Sequence, residues 1–109
     1  MRSITAVKLA EMRQNNQKFL LVNTLPSENF EATKIDGAVN IPQYHSDFAK
    51  QVEEKAGGKS QPVVVYCASA SCDSSEKAAE KLDDAGFDHV LDFTDGAEGW
   101  KELETASTL

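Results

Sequence analysis

One stretch constrains this chain more than any other: Pro62-Val63-Val64-Val65-Tyr66-Cys67-Ala68-Ser69-Ala70-Ser71-Cys72-Asp73-Ser74-Ser75-Glu76. It opens on a β-branched apolar run, which reads as a strand covered on both faces. It closes on Asp73-Ser74-Ser75-Glu76, which reads as a helix start. Asp73 is placed to cap, Glu76 three residues on is placed to reach back, and Ser74 and Ser75 are read as serving the same end. Between strand and helix lies a loop of small residues with a cysteine, Cys67, at its first position. In an open α/β sheet, ligands bind outside the carboxyl ends of the strands. The following helix would aim its free N–H groups and positive dipole end at that same point. Both effects favour the thiolate, the nucleophilic form of cysteine.

The rest of the chain supplies partners for such a strand. Thr5 is placed to cap a helix over Ala6 to Asn15 with Leu9 and Met12 on one face. Phe19 to Asn23 reads as a short buried strand, broken by Leu25-Pro26-Ser27, with Ser27 capping a single turn that carries Phe30. Ile35 to Pro42 offers a glycine turn and a brief extended piece halted by proline. Ser46 to Ala56 reads as a helix, with Phe48 and Val52 on one side and Gly57-Gly58 as its stop. The helix after Cys67 should run to about Ala85, with Ala78, Ala79 and Leu82 inward, and close on Gly86. His89 to Phe93 reads as another strand. Asp95-Gly96 is a turn, Ala97 to Leu103 a last helix holding Trp100, and Glu104 to Leu109 a tail expected to fray. Strands alternating with helices predict parallel pairing through right-handed crossovers, hence an open, mainly parallel α/β sheet with helices on both faces.

At 109 residues this is one domain, spanning 1–109, without repeats or linkers. A net charge of −7 argues against nucleic acid and anionic membrane surfaces as partners. No apolar run approaches the ~20 residues that span a bilayer. Met1-Arg2-Ser3 leads straight into an amphipathic segment rather than a signal-peptide core. Two cysteines in such a chain point to a reducing compartment, and the cytoplasm is the expected location. No cofactor or metal is expected, since Cys67 and Cys72, four residues apart between them, lack a nearby third ligand. His45 and His89 stand alone in sequence and are read as surface or strand-edge residues.

In this setting the chain resembles a single-domain rhodanese-like protein over nearly its whole length. Leu20-Leu21-Val22-Asn23 with Glu28 and Phe30 is similar to that family's first strand and the acidic-aromatic turn after it. Ile35 to Pro42 is similar to its glycine-alanine, isoleucine-proline signature. Val64-Val65-Tyr66-Cys67 with Ser75 and Ala78-Ala79 resembles its catalytic strand, loop and helix. Asp92 to Gly96 with Trp100 resembles the late glycine-glycine turn and tryptophan. The resemblance implies sulfur transfer: Cys67 takes a sulfane sulfur as a persulfide and passes it to a thiophilic acceptor. The backbone N–H groups of Ala68, Ser69, Ala70, Ser71, Cys72, Asp73 and Ser74 would then hold the outer sulfur.

The chain also departs from that pattern. Asn23 and Leu25 stand where the family usually has aspartate and arginine, and Asp95 replaces the first late glycine. The loop is about two residues longer than usual and holds no basic residue, while Asp73 adds negative charge. Thiosulfate is therefore a poorer expected donor than a small or protein-bound persulfide, with a thiol protein as acceptor. A monomer or weak dimer is expected.

Other readings stay open. Cys67 can be a core cysteine finishing a strand. Cys72 is a resolving thiol for Cys67, a small buried hydrophobe, or an exposed bystander. Ser69, Ala70 and Ser71 are small either for close approach to an anion or because they form a loop. Trp100 reads as a core plug under the loop. Glu76-Lys77 and Glu80-Lys81 read as a solvated helix face. As alternatives to sulfur transfer, the chain is an inert rhodanese-like module that binds a partner protein, or an oxyanion enzyme like phosphatases and arsenate reductases. The second normally needs an arginine in the loop.

Overall fold

The computed structural model describes residues 2–107. Strands and helices alternate along it: β1 (Arg2–Ile4), α1 (Ala6–Gln14), β2 (Leu20–Asn23), α2 (Ser27–Thr33), β3 (Val39–Asn40), α3 (Phe48–Ala56), β4 (Val63–Tyr66), α4 (Ser74–Asp84), β5 (Val90–Phe93) and α5 (Gly96–Ser107). The five strands form one parallel sheet in the order β1-β5-β4-β2-β3.

The valine-rich run is the middle strand, and all four of its side chains are fully buried. Val63 and Val65 face a cluster built with Phe48 and Val52 of α3 and with Ala78, Ala79 and Leu82 of α4. Val64 and Tyr66 face the opposite cluster, with Leu9 and Met12 of α1, Phe30 of α2, and Ala97 and Trp100 of α5. Burying a side chain of this size contributes about 1.5–3 kcal/mol, so β4 ties both layers together.

The chain leaves adjacent strands β2 and β4 in opposite directions. After β2 it passes to α2 on the α1/α5 face, and after β4 to α4 on the other. This is the topological switch point at which open α/β sheets form a crevice. Cys67 follows β4 directly, at that crevice.

Several local expectations are corrected. Arg2–Ile4 is a strand, not a lead into the first helix; it pairs with β5 and buries Ile4. Pro26, not Ser27, holds the cap position of α2, and Ser27 begins a helix longer than a single turn. α5 starts at Gly96 and continues to Ser107, so the expected fraying tail is helical at its start, while residues 108 and 109 lie outside the described residues. Asp73 occupies the cap position of α4 but makes no capping bond, so the capping box with Glu76 does not form. Its carboxylate turns outward to Lys77, 3.4 Å away, in an exposed pair. Thr5 does cap α1, accepting from the Lys8 amide at 3.1 Å.

Candidate functional site

Cys67 continues the alternation of Val63 and Val65, and its side chain therefore faces α4. The residue is 0% exposed. Its Sγ has two acceptors, the Cys72 carbonyl at 3.4 Å and the Ser75 Oγ at 3.6 Å. Ser74 and Ser75 do not cap the helix as expected. Ser75, in the first turn of α4, directs both its hydroxyl and its N–H toward the sulfur. Ser74 Oγ instead reaches across the crevice, 3.0 Å from Thr24 Oγ1 and donating to the Thr24 carbonyl at 3.2 Å.

The loop from Ala68 to Asp73 is held from two sides. Cys72 N–H donates to the Ser69 carbonyl at 3.1 Å, and the Ser69 and Ser71 hydroxyls lie 3.0 Å apart. From the other side, the first amides of α5 grip it: Ala97 N–H donates to the Cys67 carbonyl and Glu98 N–H to the Ala68 carbonyl, both at 2.9 Å. Gly96 makes this approach possible. It has φ +64, and a Cβ there would lie 2.5 Å from the Cys67 carbonyl oxygen. The late glycine that survives in this sequence is thus the one on which the loop rests.

The electrostatics reverse one expectation. Burial pushes the Cys67 thiol up and the neighbouring Cys72 thiol adds to the effect, while the Ser75 N–H and hydroxyl act in the lowering direction. The helix end does supply an amide to the sulfur, from Ser75, but desolvation outweighs it and the resting group is the thiol. Cys72 is half-buried, and both cysteines are free. A hollow of about 660 Å³ lies at the amino edge of the sheet, lined by residues that include Arg2, Lys8 and His89 and not by the Cys67 loop.

The exit of β2 is organised by a neutral network. Asn23 is fully buried, and its Nδ2 donates to Thr33 Oγ1 at 2.9 Å and to Tyr66 Oη at 3.1 Å, while its Oδ1 accepts from the Leu25 amide at 3.1 Å. Tyr66 Oη donates to the Thr33 carbonyl and accepts from the Ile35 amide, each at 3.0 Å. Asn40 Nδ2 closes the network on the carbonyls of Asn23 and Leu25. An amide at position 23 thus satisfies both donors and acceptors here without a charge.

Trp100 packs edge-on to Phe93, 6.5 Å between centroids, beneath the Arg13 guanidinium. His45 is exposed and stacked on Tyr44, and His89 is exposed at the start of β5. Glu76, Lys77, Glu80 and Lys81 are exposed, with Lys81 reaching the Gln43 carbonyl. Among the described residues there is no cluster of three or more metal-ligating side chains, and no helix is long and apolar enough to cross a membrane.

Sequence reasoning missed one buried polar group on this side of the sheet. Asp92, on β5 beside β4, is 2% exposed and faces α4 from the same side of the sheet as Val90. Its Oδ1 has no hydrogen-bond partner. Burial pushes its carboxyl up, with the Ser75 hydroxyl opposing this and Glu76 adding to it. The signal was present as Val90-x-Asp92, a carboxylate on the inward period of a strand.

The model of the rhodanese-like domain matches residues 5–103. The chain belongs to the rhodanese-like domain family. Two curated relatives are similar to it in part of their length. The chain is 28% identical over 93 residues to "Adenylyltransferase and sulfurtransferase UBA4" of Candida albicans, covering 82% of this chain and 21% of that protein. It is 31% identical over 99 residues to "HTH-type transcriptional regulator Rv0324" of Mycobacterium tuberculosis, covering 91% of this chain and 41% of that protein. This rhodanese-like chain therefore spans well under half the length of either relative. Among solved structures, thiosulfate sulfurtransferase from Pseudomonas aeruginosa superposes with a TM-score of 0.79 at 18% identity, over 95% of this chain and 19% of that one. The BH2092 protein from Bacillus halodurans gives the same TM-score at 22% identity, over 94% and 73%.

Proposed function

We propose that this rhodanese-like domain carries sulfane sulfur on Cys67. The observation that carries the reading is the position of that thiol. It stands at the carboxyl end of the middle strand, at the β2/β4 switch point, with the first turn of α4 directed at it through Ser75. In the first half-reaction the Cys67 thiolate attacks the outer sulfur of a persulfide donor. The donor's S–S bond breaks, a thiol leaves, and Cys67 holds the new persulfide. In the second, an acceptor thiolate attacks that outer sulfur and Cys67 is released as thiolate. The loop amides of residues 68–71, 73 and 74 hold the outer sulfur's charge between the two steps, whereas the Cys72 amide, expected from the sequence to share that role, is taken by the Ser69 carbonyl.

The donor is a small or protein-bound persulfide rather than thiosulfate. The loop contains no basic residue, and the adjacent Lys77 is paired with Asp73. Incubation with a low-molecular-weight persulfide should add about 32 Da, one sulfur atom, to the wild-type chain and not to Cys67→Ser. Absence of that adduct overturns the reading.

A specific observation favours a second reading, a partner-binding module without chemistry: the thiol is buried and held protonated. The same experiment separates the two. An inert module gains no sulfur, and its Cys67 resists alkylation at every pH at which the fold persists.

A further inference from the structure

We propose that Asp92 acts through Ser75 as the proton acceptor for Cys67, a relay that ionises the thiol by moving its proton into the sheet rather than to solvent. The geometry sets the three groups on one side of the sheet. Cys67 has one S–H proton and two acceptors in reach, the Cys72 carbonyl at 3.4 Å and Ser75 Oγ at 3.6 Å; turned toward Ser75, it leaves the hydroxyl's own proton free for a further acceptor. Asp92 faces the same helix turn from the adjacent strand, with one carboxylate oxygen fully buried and without a partner. A buried acceptor of that kind is costly to leave unmet, and a proton delivered by Ser75 would meet it.

The transfer balances without any other reagent. The Cys67 S–H bond breaks as Ser75 Oγ takes that proton, and the Ser75 O–H bond breaks as its proton passes to an Asp92 oxygen. The products are a thiolate, an intact hydroxyl and a neutral carboxylic acid, so the total charge does not change. The charged group facing Asp92 from α4 is Glu76. The residues in register on the flanking strands, Val65 of β4 and Ser3 of β1, carry no charge. Desolvation raises both the thiol and the carboxyl, and a raised carboxyl is a better match to a thiol donor. Asp92 and Ser75 are positioning residues for the proposed sulfur transfer, and the proposal rests on that reading for its purpose. Its test does not.

The test is the pH dependence of Cys67 alkylation by iodoacetamide in the full chain, followed on the Cys67 peptide by mass spectrometry so that Cys72 is counted separately. In the wild type the thiolate–carboxylic acid pair gives a rate that is level between the titrations of Asp92 and of the thiol. Asp92→Asn abolishes the level region, so its rate falls about tenfold per pH unit below the thiol titration, and Ser75→Ala, which takes away the hydrogen bond that holds the thiolate in the pair, lowers the level region relative to the alkaline rate. Asp92→Asn also removes a negative neighbour and lowers the thiol's own titration. Its profile should therefore cross the wild type, slower by tenfold or more near neutral pH and faster in alkali. Profiles that stay parallel to the wild type at every pH overturn the relay. A level region without a sulfur adduct upholds the relay and removes the carrier reading. An adduct without a level region does the reverse.

Discussion

Asp92 brings a carboxylate into a layer of valines and alanines, and the consequence is measurable apart from any chemistry. Its folded-state pKa is raised above the ordinary carboxylate value by burial. Between that ordinary value and the raised one the folded chain binds more protons than the unfolded chain. Stability therefore falls as pH rises through this window and levels off above it. Asp92→Asn removes the charge while keeping the shape. It should raise the melting temperature at neutral pH, by about 4–8 °C for each kcal/mol recovered, with about 1–3 kcal/mol at stake for an unmet buried group. The gain should vanish below the ordinary carboxylate range, where Asp92 is protonated in both states. Asn23 presents the opposite case, a buried amide with its donors and acceptors matched. Asn23→Asp would turn an acceptor toward the Thr33 carbonyl, which lies 3.4 Å from Asn23 Nδ2 and accepts from it, and should lower stability by about 1–3 kcal/mol. Thermal melts should show that loss shrinking in acid, where the carboxyl regains a donor.

At the scale of elements, the loop after β4 is set between the beginnings of two helices. Gly96→Ala would force a Cβ against the Cys67 carbonyl at a left-handed backbone position. It should destabilise the domain by more than about 1 kcal/mol, and hydrogen exchange at Ala97 and Glu98 should accelerate. Within the loop, Cys72 stands close enough to raise the Cys67 thiol. A mild thiol oxidant should close a Cys67–Cys72 disulfide with loss of two hydrogens, seen in the intact mass of the wild type and missing in Cys72→Ser. The alternation of apolar runs with capped or glycine-stopped segments made most of these elements legible. Thr5 starts α1, and Gly57 and Gly86 close α3 and α4, as read. β1 was not legible, because in Arg2-Ser3-Ile4 only Ile4 is buried and the strand is defined by its neighbour β5. The Asp73–Glu76 capping pattern misled for a related reason. Ser74 and Ser75 make cross-element bonds to Thr24 and Cys67, and tertiary partners set the geometry of that turn. Of the site, Cys67 could be read from its strand-end position. Its hydrogen bond to Ser75 and the placement of Asp92 on the same side of the sheet could not, since the first depends on how the loop enters α4 and the second on register between β4 and β5.

Across the whole molecule, eighteen acidic residues against eleven basic ones leave a field that repels anions. The proposed sulfur transfer, run with an anionic donor, should accelerate as ionic strength rises toward about 0.5 M, where screening shortens the reach of that field to a few ångströms. A neutral persulfide should show no such rise, and initial rates with the two donors side by side check this. Parallel pairing throughout the sheet gathers the strand exits at one edge, which is why Thr24, Cys67 and the start of α5 meet although they are far apart in sequence. That meeting makes the last helix more than a lid over the α1 face. The two amides that begin it also fasten the carbonyls beside the sulfur, so the helix cannot lift without slackening its grip there. A partner seated along the outer surface of α5 and a reagent arriving at the thiol would thus press on opposite ends of one lever.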